Sequence, residues 1–168
     1  MNANAILRPT AAFMLAHPAR FIALGFGTGL SPFAPGTVGT LLGFPVYWIA
    51  SDLLAPYGPL ALLALVAAMF VLGVWACGRT GRDLGLADHS GMNWDEIVAF
   101  QLVLMLTPAA WQWQAFAFFG FRFFDVVKPP PIRQADARLK GGLGVMFDDI
   151  LAAFYTLLAM AVCKTVFG

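Results

Sequence analysis

The chain has 168 residues, of which 60% are hydrophobic and only 11% charged, and its formal net charge is +1. Soluble globular domains average about 45–50% apolar and about 25% charged residues, so this composition excludes an ordinary soluble domain. The near-neutral charge gives no sign of a nucleic-acid partner, and none is expected. The length corresponds to one domain, predicted to cover residues 1–168.

Long uncharged runs identify the class of protein. Residues 21–51, 53–78 and 97–121 contain no charged side chain, and a fourth run covers 150–163. A helix needs about 20 apolar residues to cross a hydrocarbon core of about 30 Å. The sequence therefore predicts an all-α integral membrane protein with several membrane-crossing helices.

The N-terminal part is predicted to form an interfacial segment and then a turn. Residues 1–20 have no basic stretch followed by an apolar one, so we expect no cleaved signal peptide. Residues 25–43 contain six glycines together with Pro32 and Pro35, which an undisturbed helix would not accommodate. We therefore predict a turn at 31–36, at the membrane edge, followed by the first span.

The uncharged run 97–121 allows two topologies. As one tilted span, it would place the arginines of loop 79–96 and the basic residues after position 121 on opposite sides, whereas Lys and Arg near spans prefer the cytoplasm. A turn at Thr107-Pro108 returns both groups to one side, but 25 residues are too few for two full spans. We therefore predict a short helical hairpin, shielded by other helices or re-entrant.

This topology gathers the polar segments on one face. The turn at 31–37, the loop at 79–96 and the segment 122–149 are all predicted to be cytoplasmic, and the C-terminus is predicted to be outside. Segment 122–149 alone holds nine of the 19 charged residues, and charge kept beside hydrocarbon is costly and tends to be functional. The predicted spans lie near 37–52, 60–77, 97–107, 109–121 and 150–166.

Acidic residues on this face are candidates for chemistry. They are two adjacent pairs and one single residue: Asp95-Glu96, Asp148-Asp149 and Asp125. Each pair is predicted to open a hydrophobic helix, so one interpretation is helix capping, with Asn93-x-x-Glu96 as a capping box. The other is a metal site, because clustered carboxylates repel unless a cation neutralises them and hard oxygen ligands favour Mg²⁺ or Mn²⁺.

Basic residues on the same face are also candidates for chemistry. Arg122, Asp125 and Lys128 are spaced three residues apart, roughly on one helical face, and Pro129 stops the helix. Three interpretations stay open: an ion pair within the helix, anchoring of the basic residues at the cytoplasmic face, or phosphate binding by Arg122 and Lys128. His89 is either a solvated loop residue or a base or ligand. Motifs of cysteine, aspartyl-phosphate and phosphohistidine phosphatases are absent, which would leave a metal-activated water as the nucleophile of a phosphatase.

Five segments together resemble the phosphatidylglycerophosphatase A family of small bacterial membrane lipid phosphatases. The resemblance extends from about residue 20 to 155, with one departure at Ala99, where a glycine is expected. The segments are GFGTGLSP (25–32), APGTVGT (34–40), DH with WDE (88–89 and 94–96), FRxxDxxKPxPIR (121–133) and GGLGVMxDD (141–149).

The resemblance implies Mg²⁺-dependent hydrolysis of the terminal phosphate of phosphatidylglycerophosphate, giving phosphatidylglycerol at the bacterial inner membrane, with the site facing the cytoplasm. The expected metal ligands are Glu96, Asp125, Asp148 and Asp149. Asp95 is expected to be a further ligand or to contact the ligands without binding the metal itself. The expected phosphate-binding residues are Thr37, Arg122, Lys128 and Arg133.

Other functions remain open from the sequence. A small transporter or channel would place ionisable residues along a path near the bilayer midplane, whereas here they lie at helix ends on one side. A phosphotransferase acting on CDP-linked lipids would show a repeated aspartate pattern that is not visible. A non-catalytic membrane scaffold is a third alternative, and the oligomeric state is unknown.

Overall fold

The computed structural model describes residues 8–130, 132–134 and 139–167, and all regular structure within them is helical. The predicted all-α class is therefore confirmed. Gly25–Leu30 and Ala55–Tyr57 form 3₁₀ segments, and residues 132–134 form one further helical turn. The α-helices are α1 (Ala11–Leu15), α2 (Pro18–Ala23), α3 (Pro35–Leu54), α4 (Pro59–Leu84), α5 (Trp94–Leu106), α6 (Trp111–Val127) and α7 (Gly141–Phe167).

Within the described residues, three helical segments are long and apolar enough to cross a membrane. They are Pro35–Tyr57, Pro59–Leu84 and Gly141–Val166, with 23, 26 and 26 residues. Their cores correspond to the first, second and last predicted spans. The N-terminal segment contains α1 and the start of α2, and residues 1–7 lie outside the described part of the chain.

The run 97–121 is divided between two shorter helices. This agrees with the prediction made from the arginines before the run and the basic residues after it, which a hairpin places on one side of the membrane. Helix α5 ends at Leu106 and α6 begins at Trp111, so the predicted break at Thr107-Pro108 is confirmed. Helix α5 has 13 residues and is about 20 Å long, too short to cross the hydrocarbon core. It packs against α3, α4, α6 and α7, and residues 97–100 are fully buried, so these helices shield it. A helix that is apolar on every side is expected to be enclosed in this way.

The last helix begins earlier than predicted. Helix α7 starts at Gly141 rather than near Ile150, and the glycines in its first turn allow close packing against α4. A Cβ atom on Gly142 would collide with the Val74 carbonyl oxygen and come within 2.6 Å of the Gly78 nitrogen. The interpretation of Asp148-Asp149 as a first-turn cap is therefore wrong, since both residues lie inside the helix.

Candidate active site

Asn93 fixes the start of α5 against α3. Its Nδ2 donates to the Pro35 carbonyl oxygen (2.8 Å) and to Thr28 Oγ1 (2.9 Å). Its side chain makes no capping hydrogen bond to α5, so the predicted capping box with Glu96 is wrong. Glycine at position 39 is needed for this contact, because a Cβ there would lie 2.7 Å from Asn93 Nδ2. The first turn of α5 is thus held at a fixed position beside the N-terminus of α3.

Three carboxylates from two helices meet at this point. Asp95 and Glu96 occupy the first turn of α5, as predicted, and Asp149 approaches from α7. One oxygen of each lies within 4.8 Å of the others, and all three residues are buried. Within the described residues, Asp95 Oδ1, Glu96 Oε2 and Asp149 Oδ2 have no hydrogen-bond partner. This carboxylate trio, Asp95, Glu96 and Asp149, therefore brings together three buried carboxyl groups, each with one oxygen that lacks a partner.

Burial and mutual repulsion disfavour the charged forms of these groups. Burial, assisted by the negative charge of Asp125, raises the pKa of Glu96 to about 7, although Asp95 and Arg122 act in the opposite direction. Burial and the charges of Glu96 and Asp149 raise the pKa of Asp95 well above its ordinary value. Such neighbouring carboxylates need protons or a cation to coexist.

The other two predicted acidic residues each engage a basic side chain. Arg122 Nη1 donates to Asp125 Oδ2 (2.5 Å) and to Glu96 Oε1 (3.3 Å), joining α6 to α5. Lys128 Nζ pairs with Asp148 Oδ2. Lys128 follows the last residue of α6 in a left-handed conformation, with φ of 45°. The intrahelical ion pair expected from the spacing is therefore present, and Arg122 also reaches the carboxylate trio.

A cavity of about 240 Å³ connects these groups. Among the described residues around it are all five predicted acidic residues and Lys128. Ser90, Met92 and Val126 also line it, and no motif in the sequence indicates a role for them. Asp88, which was noted only within the Asp88-His89 motif, is a further lining carboxylate.

Three predicted phosphate-binding residues are not among the described residues that line this cavity: Thr37, Arg122 and Arg133. Arg122 is connected to it only through its ion pairs with two lining carboxylates. Thr37 is half-buried in the first turn of α3, immediately after Gly36. Gly36 itself is in the site, because a Cβ there would collide with Glu96 Oε1 and come within about 3 Å of the Arg122 guanidinium. Arg133 is exposed in the turn 132–134. The described residues around the cavity include neither Thr37 nor Arg133.

Comparison with known proteins identifies the family of this chain. The sequence model of phosphatidylglycerophosphatase A matches residues 21–164, which contain every segment that builds the cavity. The chain belongs to this family.

Relatives within and near the family resemble the chain over most of its length. The phosphatidylglycerophosphatase A of Haemophilus influenzae is 42% identical over 153 residues, covering 90% of this chain and 92% of the relative. That of Escherichia coli is 40% identical over 140 residues, covering 82% and 78%. A Bacteroides thetaiotaomicron protein, provisionally named a phosphatidylinositol-3-phosphatase, is 42% identical over 154 residues, covering 88% and 94%. No solved structure matches the chain.

The one departure from the expected family pattern lies outside the carboxylate trio. Ala99 is fully buried in α5, packed in a cluster that includes Phe100 and Phe121. The extra methyl group, compared with glycine, is accommodated in this apolar cluster. It therefore does not alter the polar lining of the cavity.

Proposed function

We propose that this protein hydrolyses the terminal phosphate monoester of phosphatidylglycerophosphate to phosphatidylglycerol, and that the reaction depends on Mg²⁺. The observation that carries the proposal is the carboxylate trio, which lies in one cavity with Lys128 and is joined to Arg122. Membership of the family and the names of two relatives support the same activity.

The residues present suit a hard divalent cation. Three buried carboxylates with unpaired oxygens are the donor type that Mg²⁺ prefers. A cation would offset the burial and the neighbouring negative charges that raise the pKa values of Asp95 and Glu96. We assign the ion to Asp95, Glu96 and Asp149. Bound there, Mg²⁺ would polarise a phosphoryl oxygen and acidify the attacking water.

We assign Asp125 and Asp148 to the pairing of basic side chains, although the sequence analysis expected both to be metal ligands. Each accepts a hydrogen bond from a basic side chain, Asp125 from Arg122 and Asp148 from Lys128. These carboxylates hold the two cations against the cavity and balance their charge while no substrate is bound. They remain close enough to the trio to line the same cavity.

The phosphate of the substrate would be bound by the basic residues and by backbone donors. Arg122 places its positive charge beside the trio through its ion pair with Glu96, and its buried Nε has no partner in the described residues. Lys128 contributes a second positive charge. The first turn of α3, where Gly36 lies beside Glu96 and Arg122, also contains the N–H groups of Gly36 and Thr37, which have no acceptor within the helix. These donors would fix the phosphoryl group and stabilise its developing charge.

The lipid part of the substrate has an apolar path beside the site. Two grooves, of about 350 and 360 Å³, run between α4, α5 and α7 and share Leu63, Leu102 and Ile150. Phe147 and Ile150, which line them, are the sequence neighbours of Asp148 and Asp149. Acyl chains lying along these helices would leave the headgroup at the cavity, on the side that we propose to be the cytoplasmic face of the inner membrane.

The test is phosphate release by detergent-purified protein supplied with phosphatidylglycerophosphate. We expect release with Mg²⁺, loss of release with EDTA, and recovery when Mg²⁺ is restored. Folded protein that releases no phosphate in either detergent or lipid vesicles would contradict the proposal. In that case a transport or scaffold function would have to explain the polar face.

The Bacteroides relative makes a second lipid substrate worth testing. Its name points to the same phosphate monoester chemistry on an inositol headgroup. We expect this chain to prefer phosphatidylglycerophosphate, and a parallel assay with phosphatidylinositol 3-phosphate measures the preference as a ratio of kcat/KM values. A higher kcat/KM for the inositol lipid would reassign the substrate while keeping the reaction type.

A further inference from the structure

A second, smaller polar cavity adjoins the carboxylate cavity. It has a volume of about 100 Å³, and residues around it include Arg8, Gly29, Ser31 and His89. Ser90 lines both cavities, so the loop at 88–91 separates them. The loop contributes Asp88 to the carboxylate cavity and His89 to the smaller one.

His89 offers an unused hydrogen-bond donor in this small cavity. The residue is only 4% exposed, and its Nδ1 accepts a hydrogen bond from the Gly91 N–H at 2.9 Å. A ring nitrogen that accepts carries no proton, so the proton of the neutral ring is on Nε2. Within the described residues Nε2 has no partner. A buried donor without a protein acceptor is uncommon, and a bound ligand or an ordered water completes it.

The surroundings of His89 favour a small anion. The arginine of this cavity supplies positive charge, and none of the described residues around the cavity is acidic, in contrast to the neighbouring one. Close backbone packing limits the cavity's size, because a Cβ on Gly29 would collide with the Gly91 carbonyl oxygen. The cavity has hydrogen-bond donors on Arg8 and His89, a positively charged lining and a volume of about 100 Å³. These properties suit one tetrahedral oxyanion better than an apolar group or a cation.

We propose that the Arg8–His89 cavity binds a phosphate group, separately from the carboxylate trio. The identity of that phosphate rests on the proposed function. Phosphatidylglycerophosphate carries a monoester, which is cleaved, and a phosphodiester, which stays on the lipid. The cavity therefore binds either the phosphodiester of the lipid headgroup, which would make it a specificity site, or the inorganic phosphate that is released.

Direct binding tests the site without relying on catalysis. Detergent-purified protein in EDTA is titrated calorimetrically with inorganic phosphate and with glycerophosphoglycerol, which contains only the phosphodiester. EDTA removes divalent metal from the trio, so phosphate bound through a metal ion there does not contribute to the measured binding. We expect at least one probe to bind the wild-type protein. His89→Asn keeps an acceptor for the Gly91 N–H but removes the Nε2 donor, so it should weaken binding about tenfold or more.

Matched variants separate the ligand contact from folding. His89→Gln restores a donor near the Nε2 position and should recover most of the affinity. Arg8→Ala, at an exposed position, should weaken binding, whereas Arg82→Ala removes an equal charge from an exposed site outside the cavity and should not. Failure of both probes to bind the wild-type protein, or unchanged affinity in both His89→Asn and Arg8→Ala, would overturn the proposal.

Kinetics on the same preparations identify the source of the phosphate. A phosphodiester site predicts that His89→Asn raises KM for phosphatidylglycerophosphate with kcat little changed. A product site predicts an unchanged KM and weaker inhibition by inorganic phosphate. Either result supports the binding site. Absence of any phosphatase activity in the wild-type protein, with probe binding intact, would remove the proposed function and leave the anion site.

Discussion

Asp149 is the residue on which the proposed metal site depends most directly. It brings the only α7 carboxylate of the trio to Asp95 and Glu96. Asp149→Asn keeps the shape of the side chain and removes one ligand charge. Loss of residues that merely support metal ligands costs about 10–100-fold, so we expect turnover to fall by at least about 100-fold. Full activity of this variant would exclude Asp149 as a ligand.

The same substitution should leave folding intact. Removing one of three neighbouring buried carboxylates lowers their repulsion, so Asp149→Asn should unfold at a higher temperature than wild-type protein when both are in EDTA. Asp52→Asn, at an exposed position near the far end of α3, is the matched control and should change neither activity nor unfolding temperature.

Arg122 links two helices through charge, and its replacement should destabilise the fold. Arg122→Gln leaves Glu96 and Asp125 without their shared cation in a mostly buried place, at a cost of about 3 kcal/mol in the free energy of unfolding. Arg79→Gln is the control, because Arg79 pairs with Asp83 near the surface, where such pairs contribute about 0.5 kcal/mol or less. Denaturant unfolding in detergent compares the two, and equal losses would contradict a structural role for the Arg122 bridge.

At the scale of elements, α5 is attached to α3 at two points that should behave differently. Near the site, Asn93 donates to the Pro35 carbonyl oxygen, and deeper in the bundle Gln101 Nε2 donates to the Gly43 carbonyl oxygen at 3.1 Å. Asn93→Ala and Gln101→Ala should each lower the free energy of unfolding by about 1–3 kcal/mol.

Only the contact near the site should affect the metal. Asn93→Ala frees the first turn of α5, so it should also reduce the stabilisation that Mg²⁺ gives, whereas Gln101→Ala should retain it. Thermal unfolding with and without Mg²⁺ measures both effects. An equal Mg²⁺ response in the two variants would mean that the Asn93 contact does not position Asp95 and Glu96.

The sequence predicted these elements well where charge and proline determine them. Pro108 and the distribution of arginines predicted the break between α5 and α6. Spacing predicted the Arg122–Asp125 pair. The start of α7 could not be predicted in the same way, because the glycines at 141–144 have the composition of a loop. Only the close approach of α4 shows why glycine is required at position 142.

The sequence also could not show that adjacent acidic residues have different roles. Asp148 and Asp149 are adjacent, but successive residues in a helix point about 100° apart. One therefore pairs with Lys128, while the other joins the carboxylate trio. Likewise, Asn93 fits a capping pattern by its position, and its contact with Pro35 depends on the distant turn before α3.

For the whole molecule, the convergence of polar segments predicts a single orientation in the membrane. In a variant whose two native cysteines are replaced by alanine, new cysteines at exposed positions report the side of each helix end. Asp52→Cys and Gln112→Cys should react with an impermeant maleimide from the outer side. Arg82→Cys and Gln134→Cys should react only after the inner membrane is opened. Labelling of positions 82 and 112 from the same side would contradict the hairpin topology.

The buried trio should also make the stability of the whole protein depend on pH and metal together. The pKa of Glu96 is raised from its ordinary value of 4.5 to about 7 in the folded protein, mainly by burial. Between these values the folded state holds a proton that the unfolded state releases, so the metal-free protein loses stability as pH rises through this window. The raised pKa of Asp95 acts in the same direction.

Mg²⁺ competes with those protons, so its stabilising effect should grow as pH rises. Thermal unfolding in detergent at about pH 5 and about pH 8, with EDTA or with Mg²⁺, measures this linkage. In EDTA the unfolding temperature should be lower at the higher pH. The increase caused by Mg²⁺ should be small at the lower pH and large at the higher one, and Asp149→Asn should remove most of it. An increase of equal size at both pH values would mean that Mg²⁺ binds away from these carboxylates, because only ligands that lose protons on binding couple the metal to pH.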